Sequence, residues 1–391
     1  MAVPELWAGM DAGKAAHHCV VLDADGKRQL SRRVDNDEAA LLKLIADVLE
    51  LSDGDPVTWA IDLNAGGAAL MIALLTDNGQ RLLYIPGRTV HHASGSYRGD
   101  GKSDAKDAFV IADQARMRRD LEPIHRGDDI AVDLRIPTSR RLDLAADRTR
   151  TINRLRAQML EYFPALERAF DYKTSKAALV LLTQYQTPAA LRRLGKNRLA
   201  TWLKNRRVRN SQLIASTAVE AAEAQHTAVA GEKLAAAVVT KLAREVMALD
   251  GEIAENDALI EGRFRDHPRA EVILSMPGLG PILGAEFTAH TGGDLSVFGT
   301  ADRLAGVAGL APVPKDSGRI SGNMRRPRRY CVAARSCPVS KAFYERRRAE
   351  GKGHKQAIIA LARRRLNVLW ALIRDGRTFK LTAPEAPVTL G

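Results

Sequence analysis

Disulfide chemistry, thiol metal clusters and membrane spans are all under-provided in this chain. Its three cysteines, Cys19, Cys331 and Cys337, are too few and too scattered for a disulfide framework or a zinc site, which fits a reducing cytoplasm. No run of about 18 apolar residues occurs, so no membrane-spanning helix is expected. The opening MAVPELWAGMDAG has neither the basic stretch nor the apolar core of a secretory signal. Acids are outnumbered: 46 Asp and Glu stand against 59 Lys and Arg, a net charge of +13. That excess is unevenly spread and points to a polyanionic partner. At 391 residues there is room for about two or three domains with real cores.

What is present begins with alternating strands and helices. Residues 6–10 read as a strand ending in Asp11-Ala-Gly-Lys14, and 18–22 as a second. Asp23-Ala-Asp-Gly26 is a hairpin-closing turn that leads into a third strand at 27–34. Asn36 is an N-cap candidate for a helix over 38–51, with Leu41, Leu42, Leu44, Ile45, Val48 and Leu49 as its apolar side. PVTWAIDL at 56–63 is a buried strand with Asp62 near its end. A helix at 65–78 and a short strand at 81–85, stopped by Pro86, follow. At 101–113, GKSDAKDAFVIAD, a glycine-rich basic lead-in containing Lys102 gives way to another helix.

Three strands, helix, strand, helix, strand, helix is the order of a ribonuclease-H-like α/β domain. Asp104 and Asp107 are three apart and share one helical face. They are either ordinary acids favouring the helix N-terminus or ligands for a divalent cation. Asp11 and Asp62 close strands whose ends converge at one edge of an α/β sheet. Four carboxylates from three distant segments are therefore expected to meet there.

From about residue 121 the pattern turns helical. Residues 128–156 carry Arg135, Arg140, Arg141, Arg148, Arg150, Arg154 and Arg156, with Asp133, Asp143 and Asp147 interleaved. This is either a salt-bridged face or a phosphate-facing one. Short helices at 174–209 carry Lys204, Arg206, Arg207 and Arg209. An Ala-rich helix is expected over 212–265. Val239, Val246, Ile253 and Ile260 repeat every seven residues in it, with Leu242, Leu249 and Asn256 at the second seam position. That pattern suits either a two-stranded coiled coil between copies or antiparallel packing within one chain.

The last part begins at Pro268. VILSMPGLGPILGAEFTA at 272–289 reads as a helix-hairpin-helix, in which Gly278 and Gly280 let the backbone approach a phosphate, or as a plain helical hairpin. GLAPVPKDSGRISGNMRRPRRY then forms a loop. Its prolines forbid helix, and it sets Ser317 and Ser321 among Lys315, Arg319, Arg325, Arg326, Arg328 and Arg329. These serines are either turn formers in a phosphate-binding loop or a nucleophile for a phosphodiester. Arg335, Lys341, Arg346, Arg347 and Arg348 follow, then an amphipathic helix over 355–375 and a frayed tail. The expected domains are 1–125, 126–266 and 267–378, with 379–391 as the tail.

GMDAGK, WAIDLNAGG, KSDAKDA, MPGLGP and APVPKDSG together resemble the DEDD-type insertion-sequence transposases, the group of bridge-RNA-guided serine recombinases. The resemblance covers about residues 5–120 and 268–375. It implies a RuvC-like N-terminal domain, a helical coiled-coil middle and a mostly helical C-terminal transposase domain. It assigns Asp11, Asp62, Asp104 and Asp107 to Mg²⁺, with Asp62 where the family carries Glu. It assigns the nucleophile to Ser317, with Ser321 in reserve because Arg319 follows where a second glycine is common. Implied partners are DNA, a structured guide RNA and further copies of the chain as a dimer or tetramer. The implied location is the cytoplasm, at the nucleoid. The competing readings are a RuvC-like endonuclease using water and a non-catalytic nucleic-acid-binding protein.

Overall fold

The computed structural model describes residues 5–54, 57–63, 66–97, 103–121, 123–124, 128–311 and 337–380. Within them the chain divides into two units, Met1–Arg126 and Gly127–Gly391.

The first unit is mixed α/β. Its strands are β1 (Trp7–Asp11), β2 (Ala16–Leu22), β3 (Arg28–Asp35), β4 (Thr58–Ile61) and β5 (Arg81–Tyr84). The sheet runs β3-β2-β1-β4-β5: a three-strand antiparallel meander, then β4 parallel to β1 and β5 parallel to β4. Helices α1 (Glu38–Leu51) and α2 (Ala69–Asp77) supply both crossovers. They cover one face, burying Leu41, Leu44, Val48 and Met71 against Met10, Cys19, Val21, Trp59 and Ile61. After α3 (Gly87–Ser94), α4 (Asp104–Met117) covers the other face, with Val110, Ile111 and Ala115 against Trp7, Ala60 and Leu83. Strand alternation sorts these two sets, since successive side chains leave opposite faces.

Two sequence expectations need correction here. The cap of α1 is Asp37, whose Oδ1 accepts from Ala40 N at 2.9 Å; Asn36 is one residue too early. Its amide instead donates to the carbonyls of Lys14, at 3.2 Å, and Gly67, at 2.9 Å. Helix α3 was not anticipated, because GRTVHHAS presents only Val90 to the core.

The second unit is helical. It comprises α5 (Asp129–Tyr162), α6 (Pro164–Ala169), α7 (Lys176–Leu182), α8 (Pro188–Asn205), α9 (Ser211–Glu223), α10 (Glu232–Arg265), α11 (Ala270–Leu274), α12 (Pro281–Thr291), α13 (Ala301–Val307), α14 (Pro338–Ala349) and α15 (His354–Asp375). The expected helix over 212–265 is two helices. Helix α9 stops at Glu223 and α10 starts after Gly231, whose φ of 85° lies outside helical space. Between them, β-branched Thr227 and Val229 weaken helix propensity. Arg192 donates to the carbonyls of Ala222 and Gln225, closing the end of α9.

The heptad seam of α10 is filled by α5 of the same chain, running antiparallel. Val239, Ala243 and Val246 join one core with Ile152, Leu155 and Met159, while Ile260 and Phe264 join another with Leu134. Asn256, the polar seam residue, donates to the Pro137 carbonyl at 2.9 Å. Pro137 sits inside α5 and interrupts its hydrogen-bond ladder. The asparagine thus sets register within one chain.

Candidate functional site

The edge of the first unit's sheet is built by close approach. An added Cβ on Gly9 would lie 2.3 Å from both Ala108 O and Ala112 N, so only glycine lets α4 rest on β1. Ala115 packs in the cluster with Trp7, and residues 108 and 112 lie over Gly9. Helix α4 therefore runs antiparallel to β1. One turn of helix before Ala108 advances about 6 Å, and so do two strand residues beyond Gly9. Asp104 is thereby brought to the Asp11 end.

Alternation places the remaining groups. Trp7, Gly9 and Asp11 leave β1 on the α4 side, and Ala60 leaves β4 on that side, followed two residues later by Asp62. Asp11 and Asp62 end neighbouring parallel strands, because Met10 is in register with Ile61. The Ala12 N–H donates to Asp62 Oδ1 at 3.4 Å. Ser103 caps α4 through Lys106 N, leaving Asp104 and Asp107 in the first turn. The 12–15 loop and the 66–68 turn touch: a Cβ on Gly67 would lie 2.8 Å from Gly13 O. The Asn36 amide clamps both.

The electrostatics are those of crowded acids. Burial pushes the Asp62 carboxyl above the usual aspartate range, and the negative charge of Asp107 pushes it further. Two histidines that sequence reading overlooked stand beside the acids. His18 pairs with Asp11 across β1 and β2, and its Nε2 lies 3.0 Å from Ser31 Oγ. Burial lowers its pKa while Asp104 opposes the shift. His17, 2% exposed, is likewise lowered by burial, with Asn36 and Asp62 acting against it. A lone histidine in a half-polar strand gives no signal by itself. Only pairing register shows that His18 faces Asp11.

The acids thus sit on one face at one edge, as oxygen donors suited to a hard divalent cation. Among the described residues, however, no three His, Cys, Asp or Glu side chains are drawn together at metal-holding spacing. The donor chemistry fits a cation.

Lys102, Ser317, Ser321, Arg319, Arg325, Arg326, Arg328 and Arg329 lie outside the described residues, as does the tail beyond 380. In the second unit, Gly278 has φ 82°, the left-handed backbone that a glycine turn needs, whereas Gly280 is extended at φ −86°. Arg365 fixes this turn by donating to the Pro277 carbonyl and, at 3.0 Å, to Ser340 Oγ.

The arginines of α5 are mostly spoken for. Arg140 meets Glu252 at 3.1 Å, Arg141 meets Asp257 and Arg148 meets Asp250, each at 2.5 Å, and Arg156 meets Glu167 at 2.7 Å. Arg150 pairs with Asp147, and Arg135 donates to the Ala289 carbonyl at 3.3 Å. Of the two readings of this helix, the salt-bridged face holds for these residues. Farther along, Arg346 and Arg347 share Glu350, and Lys341 lies 3.8 Å from Glu345.

Comparison with known proteins finds two matched segments. Residues 8–164 match the DEDD transposase model of the IS110 group, and residues 270–350 match the model for transposases of the IS116/IS110/IS902 family. The 42 kDa protein of insertion element IS900 from Mycobacterium paratuberculosis is 64% identical over 387 residues, covering 96% of this chain and 97% of that one. The 44.8 kDa protein of IS116 from Streptomyces clavuligerus is 50% identical, covering 98% of each. The 43.6 kDa protein of IS110 from Streptomyces coelicolor is 35% identical, covering 97% of this chain and 96% of that one.

Proposed function

Because this chain belongs to the IS116/IS110/IS902 family of insertion-element transposases, we propose that it cuts and rejoins DNA with carboxylates of its first unit and a serine nucleophile. What supports this reading is that Asp11 and Asp62 end neighbouring parallel strands, while Asp104 and Asp107 lie in the first turn of the helix that packs over β1. The β3-β2-β1-β4-β5 order supports a ribonuclease-H-like, RuvC-type domain.

In this reading Asp11, Asp62, Asp104 and Asp107 hold one or two Mg²⁺ ions. When bound, such ions neutralise charge on the scissile phosphate and on the leaving oxygen. The like-charge crowding of Asp62 and Asp107 supports this, since a cation would relieve it. The protein's own part is to position and to exchange protons. The Ser317 hydroxyl oxygen attacks phosphorus, the bond to the leaving sugar oxygen breaks, the serine proton goes to a base, and the leaving oxygen takes up a proton. The resulting phosphoserine ester keeps the bond energy for rejoining. Lys315, Arg319, Arg325 and Arg326, neighbours of Ser317 in the chain, are suited to stabilise the added phosphate charge.

The domains proposed are 1–125, 126–266 and 267–378. Choice of DNA site is assigned to a guide RNA, and assembly to a homodimer or tetramer in the cytoplasm, at the nucleoid. With the α10 seam filled by α5, such an assembly would draw on other surfaces.

The test is trapping. Purified protein is incubated with its cognate DNA and Mg²⁺, then denatured and resolved. A protein–DNA adduct that persists in Ser321→Ala and disappears in Ser317→Ala is expected. Free DNA ends with no adduct would overturn the serine and point to attack by water. An adduct that survives Asp104→Asn together with Asp107→Asn would overturn the carboxylate assignment.

A further inference from the structure

The longest acid-free stretch of the chain runs from Asp171 to Glu220 and holds ten Lys and Arg between them. It lies between the segments that the two family models match. Some of this charge is used inside the fold. Arg192 closes α9, and Lys196 meets Glu220 at 3.1 Å.

The far end of α8 differs. Arg198, Lys204, Arg206, Arg207 and Arg209 are exposed, and none meets a carboxylate among the described residues. The Arg206 guanidinium lies over the Trp202 ring, its Cζ 3.8 Å from the centroid. Tyr185 braces that ring edge-on at 5.0 Å. The connection to α9 holds Arg207 and Asn210 in left-handed backbone, φ 59° and 54°, which is costly for side-chain-bearing residues. Helix α9 opens at Asn210 with no side-chain cap, so its first N–H groups face the same turn. The helix dipole accounts for a cation or so at the end of α8, not for four within six residues.

We propose that this end of the α8–α9 hairpin binds single-stranded nucleic acid. Phosphates are held by Lys204, Arg207, Arg209 and the opening N–H groups of α9. An unpaired base stacks on the Arg206–Trp202 platform. A duplex offers phosphates but keeps its base faces buried, so an aromatic platform favours single strands. The proposal deepens the guide-RNA element of the proposed function. Binding measured without DNA substrate or divalent cation separates its failure from failure of the cutting and rejoining.

The experiment uses the full chain in EDTA. The probes are a labelled, unstructured RNA of about 20 nucleotides and the duplex of the same sequence, each titrated at several salt concentrations. Expected for Arg207→Glu with Arg209→Glu is at least about tenfold weaker single-strand binding and a salt slope smaller by about 1–2. The wild type should also lose tryptophan emission on binding, and Trp202→Phe should abolish that loss. Lys204→Glu, on the helix rather than the strained turn, gives an independent charge test should the double variant fold poorly. Unchanged affinity and slope in the charge variants would overturn the surface. Duplex binding as tight as single-strand binding, with no Trp202-dependent quenching, would overturn the single-strand assignment.

Discussion

Two arginine-rich regions of the second unit look alike in composition and differ in chemistry. Helix α5 carries its arginines into carboxylates, most of them on α10 about a hundred residues away. The end of α8 carries a similar density of positive charge and meets no carboxylate among the described residues. What matters for a polyanion is charge left over after folding, not charge counted along the chain. The first helix spends its cations holding an antiparallel pair in register. The second leaves them exposed, with Arg206 over the Trp202 ring. The acids of the first unit are the mirror case: burial, and then the charge of Asp107, disfavours the ionised form of Asp62 instead of cancelling its charge.

The largest effect expected from this contrast is on the acids. If uncancelled charge is kept for a ligand, Asp107→Asn should cost activity at least about 10²–10³-fold, about 3–4 kcal/mol of barrier, with the fold intact. Strand transfer and circular dichroism on the same preparation check it. Wild-type activity in Asp107→Asn would break the argument at its strongest point.

A smaller effect, on stability, sharpens the other half. The Arg148–Asp250 pair is three-quarters buried on both sides. Its arginine also donates to the Lys173 carbonyl at 3.1 Å. Arg148→Ala should therefore destabilise by about 1–2 kcal/mol, between exposed and fully buried pairs. In a unit of this size that lowers the melting temperature by about 2–4 °C per kcal/mol. Single-strand RNA affinity should stay within about twofold. Replacing Arg207 and Arg209 should show the reverse pattern. A binding loss in Arg148→Ala as large as that at the α8 end would erase the distinction between the two regions.

How much of this was legible in the sequence depends on how far apart the interacting residues lie. The five strands, α1, α2 and α4 could be read because alternation and helical periodicity are local signals. So could the positions of Asp11 and Asp62 at strand ends and of Asp104 and Asp107 in the first turn of α4. Helix α3 escaped because its sequence offers one core residue. Asn36 and Asp37 are both good caps, and only backbone geometry chooses between neighbours. The heptads of α10 were visible, but periodicity does not say what fills a seam; α5 does. Nor can spacing along a helix reveal that Arg148 meets Asp250. Pairing across that distance is a property of the packed pair, and it decides which of two basic helices is open to a ligand.

The smallest effect tests the crowding of acids through pH. The Asp62 carboxyl is raised above its ordinary value of 3.8 by burial and by Asp107. Below that value Asp62 is protonated in both folded and unfolded chains, and it makes no difference to stability. Between the ordinary and the raised value, the folded state holds a proton that the unfolded state has released. Stability therefore falls as pH rises through that window and stays lower above it. Asp62→Asn removes this penalty. Its melting temperature should match the wild type near pH 3.5 and exceed it at pH 7. The excess should be about 1–3 °C, reflecting a partly exposed group whose charge is screened by solvent. Adding Mg²⁺ at pH 7 should raise the wild-type melting temperature and narrow the gap, because a bound cation turns the crowding into attraction. A variant that melts below the wild type at pH 7, or a gap indifferent to Mg²⁺, would show that Asp62 is an ordinary strand-end acid.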